Sequence, residues 1–226
     1  MGFLTRIKQS FKGEHVLYYP GCIAERLLKE QVENYKTLLH NTKINFTLIT
    51  DLKCCGALLL NNGYKKDFIN IMNKNKSIFE KHPVNKIITN CPRCLEMFNN
   101  YYDINTEHIA AFIYNNLSRI RRFPSEKVSL ISSAILDDFI NNNEPRKLLE
   151  KAGYIVDDLS SKNIFCDFGS LIYNNPEIAD KMAQESLKKI KTKKIIVIDP
   201  LTYLHLKKIN NTDKEIIELS DAIIQE

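Results

Sequence analysis

At 226 residues with 44% hydrophobic side chains, the chain can bury the core of one large domain or two small ones, so a globular protein is expected. A net charge of +5 arises from lysines scattered among acids, without the basic stripe or tract that nucleic-acid binding requires. No apolar run approaches a membrane span, and Met1 to Gly13 hold no continuous apolar stretch fit for a secretory signal, which excludes both classes and predicts a cytoplasmic protein.

In chain order, Phe3, Leu4, Ile7 and Phe11 recur at helical spacing among Arg6, Lys8 and Lys12. They read as a terminal helix packed on the domain, with docking to an acidic partner or peripheral membrane association as the functional alternative. Arg6 stands where a myristoylation motif needs Ser or Thr, so the Met1-Gly2 start does not signal lipidation. A strand is predicted over Val16 to Tyr19, a helix from about Ala24 to His40 on the Leu28, Val32, Tyr35 and Leu39 stripe, and a strand over Phe46 to Thr50. A helix from Asp67 to Lys81 follows on Phe68, Ile71, Met72, Ile78 and Phe79, then a strand from Lys86 to Thr89. Strands alternating with helices of this length predict βαβ crossovers and a parallel sheet.

The second half repeats the rhythm: a strand at Val128 to Ile131, a helix around Pro145 to Ala152 closed by Gly153, a strand at Tyr154 to Asp157, a helix from Pro176 to Lys191, and a strand at Ile195 to Ile198. His108 to Ile113 closes the first half much as Ile217 to Ile223 closes the second. The expected fold is therefore α/β, a tandem pseudo-twofold repeat in which each half is a small parallel sheet flanked by helices. The domains are read as 1–122 and 123–226, parting near Arg121 to Ser125 where Pro124 interrupts the pattern.

Five of the six cysteines follow the predicted strands of the first half: Cys22, Cys54 and Cys55, Cys91 and Cys94. In a reducing compartment such clusters read as metal ligands or redox groups before disulfides. A structural zinc closes its shell at four ligands, whereas an iron-sulfur cluster presents several irons to thiolates and uses five without a remainder. Counting along the repeat places Ser133 at the position of Cys22, Phe165 and Cys166 at those of Cys54 and Cys55, and Asp199 to Thr202 at Cys91 to Cys94. The second half is thus expected to be metal-free, with Cys166 an inert remnant or a thiol facing the site. Asp199 reads as a loop or helix-cap residue. None of the five histidines shows ligand spacing.

The local chemistry suits a cluster. Gly21 and Gly56 remove side chains that would crowd it, and Pro20 and Pro92 stiffen the loops. Helices beginning after Cys22 and after Cys94 would direct free N–H groups at anionic sulfur, while Lys53 and Arg93 would offset charge or remain solvated.

Tyr19-Pro20-Gly21-Cys22, Cys54-Cys55-Gly56 and Cys91-Pro92-Arg93-Cys94, with 31 residues between Cys22 and Cys54 and 35 between Cys55 and Cys91, resemble the cysteine-rich CCG domain. That domain occurs in heterodisulfide reductase, in iron-sulfur subunits of glycolate oxidase and anaerobic glycerol-3-phosphate dehydrogenase, and in lactate-utilisation proteins. The resemblance covers the chain as two tandem domains, the second degenerate. It implies that Cys22, Cys54, Cys55, Cys91 and Cys94 hold a 4Fe-4S cluster. A cubane on four cysteines and a non-cubane on five fit the same spacing, and the resemblance favours the latter.

Three functions compete. The first is an electron-transfer subunit of an oxidoreductase, served by a flavoprotein or ferredoxin-like redox partner because no GxGxxG follows a strand. The second is a heterodisulfide or thiol-disulfide reductase subunit, weakened by loss of the second cysteine set. The third is a zinc-stabilised interaction module built on Cys91-x-x-Cys94.

Overall fold

Val16–Tyr18 (β1), Phe46–Thr47 (β2), Lys86–Thr89 (β3) and Asn105–His108 (β4) form one sheet in the order β2-β1-β3-β4, and every pairing in it is parallel. Lys127–Ile131 (β5), Ile155–Asp157 (β6), Lys194–Val197 (β7) and Glu215–Glu218 (β8) repeat that arrangement as β6-β5-β7-β8. This computed structural model describes residues 15–82, 84–117, 120, 122–139, 144–157 and 171–224. The α/β tandem fold read from the sequence is the fold observed. The amphipathic N-terminal segment and Cys166 lie outside the described residues.

Parallel strands need crossovers, and helices supply them. Cys22–Leu27 and Lys29–Asn41 connect β1 to β2, Ala57–Asn61 and Lys65–Lys81 connect β2 to β3, and Pro92–Tyr101 connects β3 to β4. The second half uses Ala134–Phe139 and Glu144–Lys151, then Leu171–Asn174 and Pro176–Lys189, then Pro200–Ile209; Ile109–Asn116 and Leu219–Ile223 follow the last strand of each sheet. Among the described residues, no helix is long and apolar enough to cross a membrane.

Three sequence expectations require correction. The helix expected from Ala24 to His40 is broken at Leu28, whose backbone (φ −130°, ψ 51°) leaves the helical region. The strand expected at Phe46 to Thr50 ends at Thr47. The fourth strand of each sheet was not legible, because β4 (Asn-Thr-Glu-His) turns Thr106 and His108 inward and shows no apolar alternation.

The registers also refine the internal repeat. Val16 pairs with Lys86 as Val128 pairs with Lys194, and six-residue helices start at Cys22 and at Ala134. The counterpart of Cys22 is therefore Ala134, one residue beyond Ser133. Ser133 instead matches Gly21, and its Oγ accepts from Ile135 N at 3.2 Å, supporting the first turn of its helix.

Successive side chains of a strand face opposite sides of the sheet, and β1 and β3 use both. Val16, Tyr18 and Ile88 enter a hydrophobic core that continues through Leu39 and Phe112 into Val128, Ile196 and Ile223 of the second half. Leu17, Tyr19 and Ile87 face a separate cluster holding Cys55, Cys94, Met97, Phe98 and Tyr102. Polar contacts also join the halves: Tyr35 Oη donates to Glu218 Oε1 at 2.7 Å, and Gln31 and Asn34 donate to the Asp221 carboxylate at 2.9–3.1 Å.

Candidate metal centre

In a parallel sheet all strands end on the same side, and the crevice beyond their carboxyl ends gathers functional loops. Strands β2, β1 and β3 are adjacent, so the loops leaving them meet. Cys22 is the first residue of the helix after β1, Cys54 and Cys55 lie in the loop after β2, and Cys91 caps the Pro92–Tyr101 helix after β3. All five cysteines line one pocket of about 470 Å³, counting its open mouth. Cys22 Sγ lies 3.4 Å from Cys54 Sγ, and Cys94 Sγ lies 3.3 Å from Cys55 Sγ. Cys55 and Cys94 are buried, while Cys22, Cys54 and Cys91 are partly accessible.

The helix expected to start after Cys94 starts at Pro92, which places Cys94 in its first turn and Cys91 at its N-cap. Proline suits that first turn because its missing N–H would have had no helical partner. Gly21 (φ +86°) takes a conformation that L side chains rarely adopt, and a Cβ there would stand 3.1 Å from Cys91 Cβ and 3.4 Å from Cys94 Sγ. At Gly56 the missing side chain serves packing, since a Cβ there would meet the Phe68 ring at 2.7 Å. Arg93 lines the pocket, whereas Lys53 is exposed and absent from its wall.

Proton sharing among the sulfurs follows from this crowding. Hydrogen bonds from the Cys22 and Cys55 thiols, with a further one from the Gly56 backbone, draw Cys54 well below the usual thiol range. The same contact to Cys54, reinforced by burial, pushes Cys22 up. Cys55 is raised chiefly by Cys54, and Cys94 by Cys55, then Cys91 and burial. Thiolates packed this closely oppose one another's ionisation unless a cation enters, because only positive charge offsets the repulsion. A soft, sulfur-only donor set suits zinc, copper(I) or iron-sulfur species. Among the described residues, no three His, Cys, Asp or Glu side chains are grouped to hold a single metal ion. The sulfurs instead follow one another along the pocket, Cys22 against Cys54, Cys54 against Cys55, Cys55 against Cys94 and Cys94 against Cys91, an arrangement compatible with ligation at several irons.

The loop carrying Cys54 and Cys55 is fixed by residues that the sequence reading did not single out. Asn75, fully buried on the Lys65–Lys81 helix, accepts from Lys53 N at 2.8 Å and donates to the carbonyls of Lys53 (3.3 Å) and Cys54 (3.2 Å). Tyr19 Oη donates to Lys53 O at 3.0 Å, and Tyr102 Oη donates to Cys55 O at 3.1 Å. Phe98 packs between the two tyrosines, with ring centroids at 5.0 and 4.9 Å. The available signal was Asn75 itself, a polar residue three positions beyond Met72 on an otherwise apolar stripe.

The second half contributes Asp199, Pro200 and Leu201 to the pocket wall. Asp199 is the helix cap its position suggested: Oδ2 accepts from Thr202 N at 2.9 Å and from Thr202 Oγ1 at 2.6 Å. The loop corresponding to Cys91–Cys94 thus satisfies its own polar groups.

A parallel α/β sheet presenting clustered cysteines from three adjacent strand ends defines a cysteine-rich domain of the metal- or iron-sulfur-binding class. Residues 16–99 match the family model of the cysteine-rich domain CCG. No curated protein matches the chain. Among solved structures, it is similar to aspartate racemase from Picrophilus torridus, with 11% identity over 92% of this chain and 89% of that one and a TM-score of 0.40. It is also similar to a glutamate racemase from Bacillus anthracis, with 11% identity over 93% of this chain and 79% of that one and a TM-score of 0.40. Likenesses this distant say nothing of activity.

Proposed function

We propose that this chain is an iron-sulfur redox protein, an electron-transfer subunit of a cytoplasmic oxidoreductase, with Cys22, Cys54, Cys55, Cys91 and Cys94 as the ligands of a 4Fe-4S cluster. The observation that carries this reading is that five sulfurs from three separated segments line one pocket. When bound, the cluster supplies one-electron chemistry. The chain's residues hold and tune it: Gly21 keeps Cβ bulk away from Cys91 and Cys94, Arg93 brings positive charge to the wall, and Asn75, Tyr19 and Tyr102 fix the loop of the vicinal pair.

The resemblance to heterodisulfide reductase supports the five-cysteine, non-cubane form of the cluster. In this reading the boundary lies near residue 122, the first half is the redox module, and the second is a cluster-free wall bearing Asp199 and Leu201. Electrons are exchanged with a flavoprotein or ferredoxin-like partner.

Anaerobic purification with iron and sulfide determination and electron paramagnetic resonance tests the proposal. Near-stoichiometric iron and sulfide, lost in Cys54→Ser, is the expected result. Zinc without sulfide would replace this reading with a structural zinc module. Turnover of a disulfide substrate with a reduced viologen dye would replace electron relay with reductase catalysis.

A further inference from the structure

Two close sulfur pairs suggest a second chemistry for the pocket. We infer that it is a double dithiol-disulfide site in which Cys22 closes with Cys54 and Cys55 closes with Cys94 when no cluster is held, leaving Cys91 reduced. The pairs stand at 3.4 and 3.3 Å, and a disulfide of about 2.05 Å requires each to approach by roughly 1.3 Å. That displacement is of the size a side-chain rotation delivers. Assigning the adjacent Cys54 and Cys55 to different partners also avoids a strained ring between neighbouring residues. Cys22 and Cys54 are accessible and form the pair an oxidant meets first, whereas Cys55 and Cys94 are buried and follow.

The oxidant is a small disulfide such as oxidised glutathione. For each bond, one cysteine thiolate attacks a glutathione sulfur, expels the other half as a thiolate and forms a mixed disulfide. The partner cysteine, its proton released to solvent, then attacks the protein-side sulfur and expels the second glutathione thiolate. The protein dithiol is oxidised by two electrons and one oxidised glutathione is reduced to two thiols, so both bonds consume two oxidant molecules. Cys94 also touches Cys91, which makes Cys91–Cys94 the rival closure. The consequence rests on the proposed function: oxidation withdraws four of the five sulfurs, so cluster loading requires prior reduction.

Full-length metal-free protein is treated with oxidised glutathione, its remaining thiols are alkylated, and its peptides are mapped without reduction. Free thiols should fall from six to two, Cys91 and Cys166. Because no protease separates residues 54 and 55, Cys54→Ser and Cys55→Ser assign the bonds, and Cys91→Ser should retain both. A Cys91–Cys94 bond, or glutathione adducts without internal bonds, would overturn the inference. The oxidised sample is then given iron and sulfide with and without dithiothreitol. Bonds without uptake after reduction would refute the cluster reading and leave this one standing; uptake in protein that never forms the bonds would do the reverse.

Discussion

His108 and Glu218 occupy the same place in the two halves. Each ends the last strand of its sheet, is fully buried, and caps the following helix: His108 Nδ1 accepts from Ala110 N at 3.2 Å, and Glu218 Oε2 accepts from Ser220 N at 2.6 Å. The duplication kept the cap and changed its chemistry from imidazole to carboxyl.

Opposite pH responses follow. Burial lowers His108 from 6.5 to about 4 and raises Glu218 from 4.5 to about 7. The Glu218 contribution is complete below about pH 4.5 and is lost as pH rises to about 7; that of His108 is complete above about pH 6.5 and is lost as pH falls to about 4. The slopes oppose between these limits, each spanning on the order of 3 kcal/mol. Denaturant melts of Glu218→Gln should lose stability on acidification, and those of His108→Asn on alkalinisation. Parallel profiles for the two variants would refute the assignment.

Asn75→Ala leaves Lys53 N and the carbonyl of Cys54 without their buried partner. A loss of about 1–3 kcal/mol in urea melts is expected. Iron and sulfide content should fall as well, since the same loop carries Cys54 and Cys55. Unchanged cluster content would show that Asn75 supports the fold alone.

Gly21→Ala combines left-handed strain with a collision against Cys91 and Cys94. Gly63, also left-handed at φ +83° but with open space around it, is the control, and its alanine variant should cost about 1–2 kcal/mol. Relative to that control, Gly21→Ala should show a further drop in iron and sulfide. Equal cluster content in the two variants would count against close packing at the pocket.

Asp199→Ala removes a cap and should cost about 0.5–2 kcal/mol in thermal or urea melts. Iron, sulfide and the paramagnetic spectrum should stay unchanged. A spectral change would assign Asp199 a direct part in the centre's electronic environment.

The Lys65–Lys81 helix and the Lys86–Thr89 strand were legible because their side-chain spacing is local and regular. The gathering of the five cysteines was suggested by their spacing alone. Asn75 was only an anomaly on an apolar stripe, because its partners lie 21 and more residues away. The one-residue difference between Ser133 and Ala134 emerged from strand register, which sequence counting does not see.

The amino-acid order by itself determined the alternation of strands and helices, the duplication, and the presence of five thiols on three loops, since each is written in residue type and interval. Only the tertiary structure decided that Cys22 meets Cys54 and Cys55 meets Cys94, that Asn75 anchors the vicinal pair, and that Asp199 and Leu201 wall the pocket from the second half. Those relationships depend on the order β2-β1-β3 and on how the two sheets pack, and contacts across such distances are set by the whole chain at once.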